Sequence, residues 1–113
     1  MSIKIDRIAS NIVKEISYIL ATEVKDNDIK FVTVTDAKVT NDLSFAKIYF
    51  TVLDESRKKE TLAALKNASK FIRRELADRI DVRHIPELEF VYDESIAYGK
   101  KIEDIIEQIH EEN

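Results

Sequence analysis

Residues 31–53 read FVTVTDAKVTNDLSFAKIYFTVL, and the fold turns on this stretch. From Leu43 to Leu53 apolar and polar residues alternate. Ala46, Ile48, Phe50 and Val52 face one way, and Phe45, Lys47, Tyr49 and Thr51 the other. That period of two predicts a half-buried strand. Phe31–Thr40 is rich in Val and Thr and reads as a second strand. Its apolar parity changes from Val32 and Val34 to Ala37 and Val39, which predicts a bulge near Asp36. Thr40-Asn41-Asp42 between the strands is turn chemistry, since Asn and Asp tolerate tight backbone geometry. The result is a hairpin.

Upstream, residues 3–22 place Ile5, Ile8, Ile12, Val13, Ile16, Ile19 and Leu20 at the three-and-four spacing of an amphipathic helix. A polar break, Lys25-Asp26-Asn27-Asp28, separates it from the hairpin. Downstream, Asp54-Glu55-Ser56 offers N-caps for a helix through Asn67 with Leu62 and Leu65 inside. A second helical stretch, Ser69–Ile80, keeps Ile72, Leu76 and Ile80 on one face and Lys70, Arg73 and Arg74 on the other. Asn67-Ala68-Ser69 between them predicts a kink. The chain turns at His84-Ile85-Pro86, Pro86 being unable to continue a helix. Leu88, Phe90 and Tyr92 then alternate as a third strand, and Asp93-Glu94-Ser95 can cap a last helix holding Ile102, Ile105, Ile106 and Ile109. Gly99 lies within or before the first turns of that helix, so its start stays open. The order predicts an α+β domain, a three-stranded sheet with helices packed on one face. Residues 1–95 form that domain, and 96–113 an acidic C-terminal helix packed on it or extending from it.

Composition narrows the chemistry. The chain has 113 residues, 44% apolar and 35% charged, the size and balance of one globular domain. One glycine excludes the phosphate cradles that need two or three. No cysteine excludes disulfides, thiolate nucleophiles and cysteine-ligated metals, and fits a reducing, cytoplasmic setting. Charges interrupt the apolar residues of the first twenty, so no signal-peptide core is present, and no run approaches the ~18 apolar residues of a membrane span. Glu87 and Glu89 lie two apart on one strand face, whereas glycosidase carboxylates flank a substrate from two sides. His84 reads as a loop histidine and His110 as solvated. No enzyme, catalytic residue, metal site, cofactor or small-molecule substrate is predicted.

The net charge of -4 is unevenly spread. Residues 1–56 carry -2 and residues 84–113 carry -7, while residues 57–83 hold nine basic side chains against four acidic ones. Such a segment is a polyanion-binding face or a solvated helix surface laced with ion pairs, and counts alone leave both open. Its candidates for phosphate contact are Lys58, Lys59, Lys66, Lys70, Arg73, Arg74, Arg79 and Arg83. Arg73 has a structural alternative, pairing with Asp81 or Glu87. Lys4, Arg7 and Lys14 on the first helix make a weaker patch that reads as a solvated face. The open sheet face shows Phe45, Lys47 and Tyr49, but Glu87 and Glu89 there would repel phosphate, so it makes a poor stacking platform.

The order of elements matches the bacterial, type II form of the KH RNA-binding domain. The G-x-x-G clamp of that domain is missing, because Gly99 is the one glycine. More specific are four blocks in order: Val32-Thr33-Val34-Thr35; Asp42-Leu43-Ser44-x-Ala46-Lys47-Ile48-Tyr49; Ala68-x-x-Phe71-Ile72-Arg73-x-x-Leu76; and Arg83-x-x-Pro86-Glu87-Leu88-x-Phe90-x-x-Asp93-x-Ser95. With them the chain closely resembles the ribosome-binding factor A family over essentially its whole length. The resemblance implies a type II KH-like fold in which an alanine-centred helix kink, here Ala68 and Ser69, replaces G-x-x-G. Where the family often has a glycine two residues after that alanine, this chain has Lys70. It further implies a non-catalytic, monomeric factor that binds the free 30S ribosomal subunit or its precursor through 16S rRNA. There the family supports late maturation, 16S rRNA 5′-end processing and growth in the cold. The rival class is a protein–protein adaptor on the ribosome, using apolar helix faces or the acidic tail.

Overall fold

The structure is a computed structural model that describes residues 3–29 and 31–95. In chain order it has α1 (Ile3–Thr22), a 3-10 turn at Asn27–Ile29, β1 (Val32–Val39) and β2 (Phe45–Val52). A second 3-10 turn at Glu55–Arg57, α2 (Lys58–Ala77) and β3 (Glu87–Tyr92) follow. The expected C-terminal helix, residues 96–113, lies outside the described residues.

The hairpin forms as its pattern dictates. β1 and β2 are antiparallel, paired from Val32 opposite Val52 to Val39 opposite Ala46. Val34 faces Phe50 and Asp36 faces Tyr49, so Thr35 is an extra residue and the strand bulges there. The bulge turns Ala37 and Val39 back to the core after Val34 and explains the parity change. β3 lies parallel to β2 on its other side, which makes β2 the central strand. A parallel neighbour cannot be reached by a tight turn, and α2 is the crossover. Ala46, Ile48 and Phe50 are buried while Phe45 and Lys47 are exposed. The sheet thus has one covered face, in an α+β arrangement compatible with the type II KH-like fold.

α1 covers that face with Ile8, Ile12, Ile16, Ile19 and Leu20, and α2 with Ala64, Leu65, Ile72 and Leu76. Burying each of the larger side chains stabilises the fold by roughly 1.5–3 kcal/mol. The break after α1 is not wholly polar. Its 3-10 turn drives Ile29 into the core, 2% exposed, and Asp26 closes the turn by accepting from the Asp28 N–H. At the other end of the hairpin the strained residue is not Asn41 or Asp42. Leu43 alone among the described residues has positive φ, 61°, which costs a non-glycine residue roughly 1–2 kcal/mol. The Asp42 carboxylate is bonded by the Ser44 hydroxyl and N–H and by the Thr40 hydroxyl, which hold its pKa down to about 2 and fix the turn.

The two helical stretches predicted for 55–80 are one helix. Lys58–Ala77 contains no glycine or proline, so the ladder continues through Asn67-Ala68-Ser69. It also stops before Pro86 could stop it. The Asp78, Arg79 and Ile80 N–H groups bond back to the last turn, and Pro86 is a buried residue ahead of β3. The expected Asp54 cap serves the 3-10 turn, accepting from the Ser56 N–H and hydroxyl, whereas α2 itself starts after Arg57 with no side-chain cap. Asp93 accepts from the Ser95 N–H and hydroxyl, and the last helix it is expected to cap lies outside the described residues.

Candidate nucleic-acid interface

At about 100° per residue, Lys59, Lys66, Lys70 and Arg74 fall on one narrow stripe of α2, opposite Leu65, Ile72 and Leu76. All four are exposed, and none of their side chains makes a hydrogen bond or ion pair among the described residues. From Lys59 to Arg74 the stripe runs roughly 22 Å at 1.5 Å per residue. Lys66, Lys70 and Arg74 follow one another at four-residue spacing, so two like-charged pairs face each other on the helix surface. Each destabilises the isolated helix by roughly 0.2–0.5 kcal/mol. Asp78, one more four-residue step on, stands at the C-cap beyond Arg74. Between Lys59 and Arg74 no acidic side chain on the stripe offsets the repulsion, and a row of phosphates would.

Three of the other predicted contacts, Lys58, Arg73 and Arg79, have partners within the fold. Arg73 sits beside the stripe, half-buried. Its Nε donates to the carbonyls of Ile85 (3.3 Å) and Pro86 (3.1 Å), and its Nη2 to that of Ile85 (2.7 Å). Neither Asp81 nor Glu87 is its partner; the guanidinium fastens the loop before β3 to α2. Arg79 lies between Glu15 of α1 (3.7 Å) and Glu23 just past its end (3.6 Å), with its guanidinium 4.8 Å from the Tyr18 ring centre. Lys58 pairs with Glu94 at 2.8 Å and lies 4.4 Å over the Tyr92 ring, and the Glu94 hydrogen bond raises its pKa. Burial raises the Tyr92 pKa in turn. Arg57, of the same basic segment, pairs with Asp28. The segment therefore divides into an uncompensated stripe and a set of ion pairs that pin α2 to its neighbours.

Ala68 and Ser69, the expected kink, lie inside α2 and half-buried. The Ser69 hydroxyl donates to the Lys66 carbonyl at 2.9 Å, a local bond of the kind that bends helices. Arg83 stands apart from the stripe, at a depression shared with Lys4 and Arg7 of α1. In the sequence those two read as a solvated face, because nothing local ties α1 to residue 83. On the outer sheet face Lys47 has Lys38 on one side and Glu89 on the other. The acidic groups expected there are in place.

A family model described as ribosome-binding factor A matches residues 4–106. Ribosome-binding factor A of Staphylococcus carnosus is 46% identical over 109 residues, 96% of this chain and 95% of that protein. That of Staphylococcus saprophyticus is 45% identical over 114 residues, the full length of both. The fold is shared with the crystal structure of ribosome-binding factor A from Thermus thermophilus, at TM-score 0.68 and 22% identity, over 76% of this chain and 91% of that one. It is shared equally, at TM-score 0.68 and 21% identity, with a homology model of the Thermus thermophilus factor as fitted into the cryo-EM map of a 30S–ribosome-binding factor A complex. That match covers 80% of this chain and 96% of the other.

Proposed function

The chain belongs to the ribosome-binding factor A family, and from that premise we propose that it binds the free 30S subunit or its precursor without catalysing a reaction. In this reading Lys59, Lys66, Lys70 and Arg74 meet 16S rRNA phosphates, releasing counterions and reading little sequence. The uncompensated stripe on α2 is the observation that carries it, since like charges at four-residue spacing are costly to the free protein and useful against a polyanion. In this reading Ala68 and Ser69, with the Ser69 hydroxyl bonded to the Lys66 carbonyl, bend α2 along the stripe. The chain acts as a monomer in the cytoplasm, with residues 1–95 as the binding domain and 96–113 as its acidic extension. Its consequence is late 30S maturation, including 16S rRNA 5′-end processing, and growth in the cold.

An adaptor using apolar helix faces finds them already buried against the sheet. A sucrose gradient of cell extract tests the proposal. The chain should co-migrate with free 30S particles, and the association should weaken steeply as salt rises. Migration with neither 30S nor its precursors, or binding indifferent to salt, contradicts it. A strain lacking the chain should accumulate 16S rRNA with an unprocessed 5′ end, most strongly in the cold.

A further inference from the structure

Beyond the C-terminal end of α2, where the stripe finishes, the surface has a depression of about 360 Å³ between α1, the β1–β2 turn and the loop leading to β3. Its apolar lining is Ile8, buried, with Leu43, Ile80 and Val82, half-buried. Its exposed polar lining is Lys4, Arg7, Asn11, Asp81 and Arg83. The α1 members recur at three- and four-residue spacing, so Lys4, Arg7 and Asn11 share the helix face above Ile8. Leu43, the one residue in left-handed conformation among those described, lines the same depression.

Two features mark this as more than a surface hollow. None of the five polar side chains makes a hydrogen bond or ion pair among the described residues, although an acid and three cations surround one cavity. Lys4 and Arg7 also lie at the N-terminal end of α1, where the helix dipole disfavours cations and favours a bound anion. The arrangement has an apolar floor for one flat face, cations for an anion, and an amide and a carboxylate for a polar edge. A cavity of this volume lies at the small end of ligand pockets, which begin at roughly 300 Å³.

We propose that this depression is a binding site for a single unstacked ribonucleotide of the RNA, its phosphate held by Lys4, Arg7 and Arg83 and its base laid on Leu43, Ile80 and Val82. The site deepens the RNA-binding reading above and rests on it. Asn11 can donate to and accept from a base edge, whereas Asp81 can only accept. The carboxylate therefore favours guanine, whose adjacent N1–H and N2–H can both donate to it, over uracil, which offers the single N3–H flanked by two carbonyls. It equally disfavours a bare anion, which would meet Asp81 with no compensating contact. Single-stranded RNA is commonly read in this way, by bases turned out of the stack and bonded along their edges.

The test is an NMR titration of the ¹⁵N-labelled full chain with GMP, AMP, CMP, UMP, guanosine and inorganic phosphate. Saturable shifts are expected at the amides of Arg7, Asn11, Leu43, Val82 and Arg83, with GMP bound about fivefold or more tightly than UMP. Arg83→Ala, at an exposed position, should abolish these shifts, and Asp81→Asn should narrow the gap between GMP and UMP. Equal shifts from inorganic phosphate and GMP would reduce the site to a simple anion patch and overturn the proposal. So would the absence of saturable shifts with any nucleotide. Co-sedimentation with 30S is scored separately. A chain that co-sediments but takes no nucleotide refutes the pocket alone, and one that takes nucleotide without co-sedimenting refutes the ribosomal reading.

Discussion

Arg73 shows how one side chain can divide a charged segment into structure and function. Its guanidinium donates to the carbonyls of Ile85 and Pro86, and a lysine has no fork with which to do the same. Arg73→Lys should lower unfolding stability by roughly 1–2 kcal/mol in urea titrations, while the folded protein keeps its affinity for 30S. This role was not legible in the sequence, because backbone carbonyls leave no signature there. The Glu15 and Glu23 partners of Arg79 were equally hidden, since they lie on α1 and just past its end, far away in sequence. Asp93 is a second such residue. It accepts from the hydroxyls of Ser95 and, across the sheet, of the bulged Thr35 at 2.6 Å, and these bonds lower its pKa against a smaller opposing effect of burial. A carboxyl whose folded pKa lies below its unfolded value adds stability at neutral pH, lost as pH falls through the folded pKa. Asp93→Asn should therefore destabilise at pH 7, and the difference from the parent should shrink as pH drops below the ordinary carboxylate range. Thermal melts from pH 7 to 2.5 check this.

Among the elements, α2 unites crossover and candidate interface. Its inner face anchors the sheet, so its outer face is free to hold charges that do nothing for folding. Lys70→Ala tests that division, since it removes the middle of three like charges at four-residue spacing. The variant should be more stable by roughly 0.4–1 kcal/mol, since both like-charged pairs are lost. Its 30S affinity should fall, and the slope of log affinity against log salt should flatten by about 1. A variant with unchanged slope would remove Lys70 from the interface. The strands were legible because period-two alternation survives burial on one face, and the parity slip after Val34 even located the bulge. The helix pair was not legible as one helix. Asn67-Ala68-Ser69 is a weak helix-forming triplet, but nothing in it breaks a ladder held down by Leu65 and Ile72 on either side. Ile29 was missed because a lone isoleucine in an acidic break has no period to reveal it.

The whole molecule separates its charges by surface. The net charge of -4 hides a covered sheet face, an outer sheet face with Glu87 and Glu89, and a helix stripe that is purely basic. Local potential rather than net charge steers a polyanion, so an acidic protein can present a working basic face. No helix among the described residues is long and apolar enough to cross a membrane. The central claim is that the α2 stripe is the surface that meets 30S rRNA. Its most direct test is co-sedimentation of the Lys66→Glu, Lys70→Glu, Arg74→Glu triple variant with purified 30S subunits at low salt, alongside its circular dichroism spectrum. All three positions are exposed, so the spectrum should stay native. Binding is predicted to disappear; a natively folded variant that still travels with 30S would contradict the account.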